Sequence, residues 1–193
     1  MARRRLGRAF YRRDPREVAP ELLGKVLVRG ALSARIVEVE AYCGHIDPGS
    51  HTYRGMTQRN ATMFGPAGRA YVYFTYGMHW CVNAVCGDEG EGVAVLLRAA
   101  EPLTGLDEMR ARRPAARRDV DLCRGPARLC QAFGIDGTDD GADLVTADRG
   151  LSIVDDRTPP SERACSTRIG LSAGSDLPWR WCVPGHTHLS RPG

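Results

Sequence analysis

A single-domain α+β fold is predicted by three observations. The strand-like runs follow one another through the middle of the chain. The helix-like runs lie on either side of them instead of alternating with them. No internal repeat or Ser/Pro linker divides the 193 residues, enough for one sizeable core. In chain order, "VAPELLGKVLVRG" reads as a short helix running into a strand, and "ARIVEVEAY" alternates as a second strand. Residues 43–68 are rich in Gly, Pro, Asp, Ser and Asn and read as a loop. "AYVYFTYGMHWCVNAV" is β-branched and aromatic, is broken at Gly77-Met78, and reads as a hairpin. After the acidic glycine loop "GDEGEG", the run "VAVLLRAAEPL" reads as a buried strand. "TGLDEMRARR" is helical up to Pro114, and "RGPARLCQAFGI" has Pro126 in its first turn and Gly134 as its stop. The last third consists of short strands and loops, ending in "LPWRWCVPG".

Charge and cysteine usage narrow the function classes. The net charge is +4, yet seven arginines fall within residues 1–16, with Asp14 their only acidic neighbour. These residues read as a basic arm preceding a domain over 17–193. Such an arm suits a phosphate backbone, and a solvated tail is the other reading. Seven cysteines, odd in number and without a CxxC pair, argue against a disulfide framework and a zinc ribbon. The longest apolar runs fall short of a membrane span, and the N-terminus lacks a secretory apolar segment, so a cytoplasmic location is expected. His186 and His188 have no acidic or cysteine companion in the sequence and read as a surface tail. "DGTDDGADLVTA" departs from a calcium loop at Thr138 and Ala147. No metal and no cofactor are expected.

Two stretches carry chemistry. In "RIVEVEAYCG", alternation places Val37, Val39 and Ala41 on one face and Ile36, Glu38, Glu40 and Tyr42 on the other. Two carboxylates therefore share a side. They form either an exposed, salt-bridged face or, for Glu40 beside Tyr42, a general base whose pKa apolar rings raise. In the hairpin, Tyr71, Tyr73 and Thr75 alternate with Val72, Phe74 and Tyr76, so both faces carry rings. Tyr76 stands apart, because beside Gly77 at the tip a large ring has little of its own chain to pack on.

"RIVEVEAYCGHIDPGSH", "QRNATMF", "AYVYFTYGMHWCVNAV" and "VLLRAAEPLTGL", in this order and spacing, resemble the alkyladenine (3-methyladenine) DNA glycosylase family, and "CRGPARLCQAFGI" extends the likeness. It covers the chain from about Leu6 to Gly185. The resemblance implies a central, mostly antiparallel curved sheet with flanking helices and a protruding hairpin that intercalates into double-stranded DNA. It also implies a monomer at the nucleoid, acting in base excision repair on alkylated or deaminated purines. By position, Glu40 is similar to the family's general base, and Arg98 and the Ile169 carbonyl would hold the attacking water with it. Tyr42, His51 and Tyr73 would wall the base pocket. Asn83 would crowd the amino group of guanine. Tyr76 would fill the place of the flipped base, and Arg59 and Asn60 would meet the DNA backbone.

A cationic alkylpurine stacks on electron-rich rings and is already a good leaving group, so one carboxylate suffices and Glu38 reads as structural. Lys25, the only lysine, lies outside every motif, which favours water over an amine as nucleophile. Met56 and Gln58 depart from the family's usual Arg-Thr-Pro-Arg-Asn, as does the C-terminal end. Two rival readings are a non-catalytic damaged-DNA binder of the same fold and a hydrolase of free nucleosides. The intact Glu40, Arg98 and Asn83 weigh against the first. The second would need neither an arginine-rich arm nor a tip tyrosine.

Overall fold

The structure, a computed structural model, describes residues 4–191. Strand β1 (Arg4–Arg5) and a single helical turn α1 (Arg8–Tyr11) lead into α2 (Pro15–Leu22). Asp14 caps α2 by accepting the Arg16 amide at 2.8 Å, Pro15 fits its first turn, and Val18, Ala19 and Leu22 make its buried stripe. Strands β2 (Val26–Arg29) and β3 (Leu32–Cys43) form a hairpin whose turn needs the left-handed Gly30, at φ 56°. A loop with two short 3-10 turns follows. Then come β4 (Ala70–Thr75), β5 (His79–Cys86) and β6 (Val93–Thr104). Helix α3 (Leu106–Arg112) precedes α4 (Pro126–Phe133), which ends at left-handed Gly134 and lays Leu129, Cys130, Ala132 and Phe133 into the core. Strands β7 (Leu151–Asp155), β8 (Ala164–Ser166) and β9 (Arg180–Cys182) complete the chain.

All strand pairs are antiparallel, in the order β1-β7-β2-β3-β6-β5-β4, with β9 on β3 and β8 on β9. The fold is therefore mixed α+β, with one curled sheet and helices placed before and after the strand run. The curl has a local cause. The β3–β6 ladder slips register at Ser33/Ala34, Ile36/Glu38 and Glu38/Val39, and such bulges bend and twist a strand. They also correct the simple alternation read from the sequence. Ile36 joins Val39 and Ala41 in the main core, whereas Val37 packs with Ala99, Cys182 and Leu189. Glu38 and Glu40 still share a side, since both reach Arg98.

The segment read as an arm is, from Arg4 onward, built into the fold; Arg3 lies outside the described residues. Arg4 and Arg5 pair with β7, Leu6 and Tyr11 are buried, and Arg8, Arg12, Arg13 and Arg16 pair with Asp143, Asp88, Glu21 and Asp14. Two of these acidic partners, Asp143 and Asp88, are distant in sequence, and two, Glu21 and Asp14, are near. The cysteines are all unpaired, and only Cys165 is exposed. Among the described residues no helix is long and apolar enough to cross a membrane.

Candidate active site

Glu40 lies on β3 at the centre of the sheet, where β6 on one side and β9 on the other leave it wholly buried. A buried carboxylate needs partners, and three donors converge on it. The Tyr42 hydroxyl donates to Oε2 at 2.8 Å, Arg98 Nη1 lies 3.2 Å from the same oxygen, and the Ile169 amide donates to Oε1 at 2.8 Å. Thus Ile169 meets Glu40 through its N–H, and the surroundings of Glu40 are hydrogen-bond donors instead of the bare rings expected from the sequence. Burial first, and then the negative charge of Glu40, raise the Tyr42 pKa well above the ordinary tyrosine value, so the phenol remains a donor.

Glu38, also fully buried, is a separate hub. It accepts from Arg98 Nε at 3.1 Å, Arg180 Nε at 2.8 Å, and the amide and hydroxyl of Ser190 at 2.6 and 2.7 Å. Burial pushes its carboxyl up, but the Ser190 amide, Arg180 and Arg98 outweigh it and hold the pKa below the ordinary glutamate value. Arg98 bridges the two carboxylates. Its own burial disfavours the charge, yet Glu40 and Glu38 more than offset that and raise its pKa. The C-terminal segment is thereby tied to the strand that carries Glu40.

Beside this centre is a slot of about 60 Å³ lined by Tyr42, His51, Tyr73, Asn83, Met63 and Leu171, among others. Its rings are held in place. Tyr71 stacks on Tyr73 with centroids 5.3 Å apart, and His51 meets Tyr73 edge-on at 4.5 Å. His51 Nδ1 lies 3.1 Å from the Tyr71 hydroxyl, and Asn83 Nδ2 donates to the Tyr71 carbonyl at 3.1 Å. Partial burial of the imidazole, with the nearby Arg59 charge, lowers the His51 pKa from its ordinary value. Neither the slot nor a larger cavity of about 570 Å³, lined by Asp14, Arg16, His45, Ile46, Phe64 and Glu91 among others, is lined by Glu40 or Arg98, and the larger one also lacks Tyr42 and Ile169. The smaller one has the chemistry, because Tyr42 is at once its wall and the hydrogen-bond partner of Glu40.

The other expected site residues divide. Tyr76 is 81% exposed at the tip of the β4–β5 hairpin, in left-handed backbone at φ 50°, three residues and thus about 10 Å along the strand from Tyr73. Arg59 is exposed, donates to the Phe74 carbonyl at 2.9 Å, and places its guanidinium 5.9 Å from the Tyr73 ring. Asn60 does not face outward. It is 2% exposed, donates to the carbonyls of His51 and Gly55 and accepts the Thr57 amide, so the expectation of a DNA contact gives way to a loop brace.

Sequence reasoning missed Asp47 and Arg168, which form a fully buried bidentate pair with both N–O distances at 2.6 Å. The Arg168 guanidinium lies 4.8 Å from the Tyr42 ring and 5.1 Å from Trp179, backing the slot wall. Asp47 also accepts the Cys43 and Gly49 amides, fixing the loop that brings His51 to the slot. The one available signal was adjacency, since Arg168 directly precedes Ile169.

The class that fold and site define is an α+β protein with a buried carboxylate, shared by an arginine, a tyrosine and a backbone amide, beside a slot walled by aromatic rings. Comparison with known proteins gives the particular family. The methylpurine-DNA glycosylase (MPG) family model matches residues 9–187, and the chain belongs to that family. It is 60% identical over 189 residues to a Burkholderia lata protein, covering 97% of this chain and 91% of that one. A Streptomyces avermitilis protein is 48% identical over 192 residues (96% and 90% covered), and one from Rhodopseudomonas palustris 47% over 187 (97% and 88%). All three are provisionally named 3-methyladenine DNA glycosylases.

Proposed function

We propose that the protein is a monofunctional DNA glycosylase of base excision repair, acting as a monomer. It flips an alkylated or deaminated purine out of duplex DNA and hydrolyses its N-glycosidic bond, leaving an abasic site. The observation that carries this reading is the Tyr42 hydroxyl, which joins the wall of the aromatic slot to the buried carboxylate of Glu40 at 2.8 Å. The flipped base stacks between Tyr42 on one side and His51 with Tyr73 on the other, and Asn83 limits what fits at its edge. Glu40 Oε1 has one donor, the Ile169 amide, and so keeps acceptor capacity for a water. That water's oxygen attacks the sugar carbon while its proton passes to Glu40; the glycosidic electron pair leaves with the base, neutralising a cationic purine, whereas a neutral deaminated purine takes up a proton as it leaves, equivalent to the one the water gave up. Arg98 balances the charge of Glu40 and, with the Ile169 carbonyl, positions the water.

An amine nucleophile is disfavoured, because Lys25 Nζ is paired with Asp155 at 2.9 Å. Tyr76 is the wedge that fills the vacated stack, and Arg59 contacts the backbone. The test is incubation with duplexes that each contain one lesion (3-methyladenine, 7-methylguanine, hypoxanthine or ethenoadenine), scored by release of the free base and by alkali-labile abasic sites. Release of at least one base without strand nicking is expected. Binding to every duplex with no release at any enzyme concentration overturns the enzyme reading in favour of a damage-binding protein.

A further inference from the structure

The sequence leaves His186 and His188 without a companion, but the fold supplies one. Glu101 on β6, far away in sequence, comes to the C-terminal turn that holds both histidines, and the ligand atoms of all three lie within 4.8 Å of one another. We propose that Glu101, His186 and His188 bind a divalent transition-metal ion of the zinc type. Two imidazoles and a carboxylate are the donor set such ions take when a fourth position is left for water.

The spacing supports coordination over a direct hydrogen bond. His186 Nε2 and Glu101 Oε2 are 3.6 Å apart, too far to bond and close to the edge of a tetrahedron with metal–ligand bonds of about 2.0–2.1 Å, which is roughly 3.4 Å. The two rings lie 5.2 Å apart, and all three residues are partly buried, so the ligands are neither splayed in solvent nor sealed from it. Their positions are fixed independently of any ion. The His188 amide approaches His186 Nδ1 at 3.3 Å, which turns Nε2 toward Glu101. Leu189 is buried, its carbonyl accepts from Arg124 Nε at 2.7 Å, and Ser190 is bound to Glu38. The cations that reach this segment are each directed to another group than the imidazoles: Arg124 to the Leu189 carbonyl, Arg98 to the Ser190 hydroxyl and Arg180 to the Arg191 carbonyl. A bound ion would clasp the C-terminal segment to β6 three residues from Arg98, reinforcing the network behind Glu40 without touching the reacting atoms.

The test uses the metal-stripped full chain. Zinc is titrated calorimetrically, cobalt(II) is followed by its visible absorption, and melting temperature is read with and without zinc. One equivalent is expected to bind, with a rise in melting temperature that grows with zinc concentration and the visible band of low-symmetry cobalt. Affinity should fall about 10–100-fold in Glu101→Gln and further in the double variant His186→Ala/His188→Ala, and should be unchanged in Cys165→Ser. Far-UV circular dichroism verifies that each variant is folded. No binding to the unaltered chain, or binding that survives the double histidine change and is lost in Cys165→Ser, overturns the site.

Discussion

Glu40 and Glu38 are two residues apart on one strand, share Arg98, and are equally buried, yet their partners give them different work. Glu38 is bound by Arg98, Arg180 and Ser190, none of which lines the slot, whereas Glu40 is hydrogen-bonded to Tyr42, a residue of the slot wall. Glu40→Gln preserves shape and removes the base, so excision should fall about a hundredfold or more while lesion binding, measured by gel shift or anisotropy, survives. Excision near the unaltered rate would show that Glu40 is not the base. Glu38→Gln should act on stability instead, because it leaves Arg98 and Arg180 buried beside a neutral amide; a loss of about 3–5 kcal/mol at neutral pH is expected. The pH dependence follows from the sign of the shift. A carboxyl whose folded pKa is depressed stabilises the fold above its ordinary value of 4.5 and loses that contribution as pH falls through the lower folded value. Denaturation curves of Glu38→Gln and the unaltered chain should therefore converge as the pH is taken below 4.5, and a constant gap would contradict the assignment.

The β4–β5 hairpin does two jobs along its length. Its base is core, with Ala70 and Val72 in the main cluster and Tyr71 lining the slot, while its tip exposes Phe74, Tyr76 and Met78. A tyrosine in left-handed backbone with no packing is costly to keep unless the exposed ring is used. Were Tyr76 a core ring, Tyr76→Ala would lower stability by about 3–5 kcal/mol. With 81% of it exposed, the melting temperature should hardly move. Single-turnover excision should suffer, more for a well-paired lesion than for one in a mismatch, where extrusion is easier. Equal losses on both duplexes together with a large drop in melting temperature would return Tyr76 to a packing role.

Across the whole molecule, the distribution of charge matters more than its sum. The N-terminal arginines are mostly spent on Asp143, Asp88, Glu21 and Asp14, so removing residues 1–8 deletes β1 and buried Leu6 as well as charge. That truncation should lower thermal stability by roughly 1–3 kcal/mol, as lost core side chains do. Arg59 beside the hairpin is a better probe of the DNA face. Arg59→Gln should weaken binding to every duplex alike and reduce the slope of log affinity against log salt by about one, measured by titration at several salt concentrations. An unchanged slope would remove Arg59 from the phosphate contacts.

The sequence by itself determined most of the elements and nominated the candidate site residues. Turn residues and alternation located the hairpins, Pro126 and Gly134 bounded α4, and ordered motifs pointed to Glu40, Tyr42, His51, Tyr73, Asn83 and Arg98. These signals are local: each depends on the backbone preference of a few neighbouring residues or on a contiguous pattern. Only the tertiary structure decided where the bulges fall in β3, that Arg8 and Arg12 are paired with Asp143 and Asp88, that Asn60 turns inward, and that Asp47 meets Arg168 across 121 positions. It alone also brought Glu101 to His186 and His188. The physical reason is common to all of these. Burial and ion pairing depend on which segments the curled sheet brings together, and a partner a hundred residues away leaves no periodic trace in the chain.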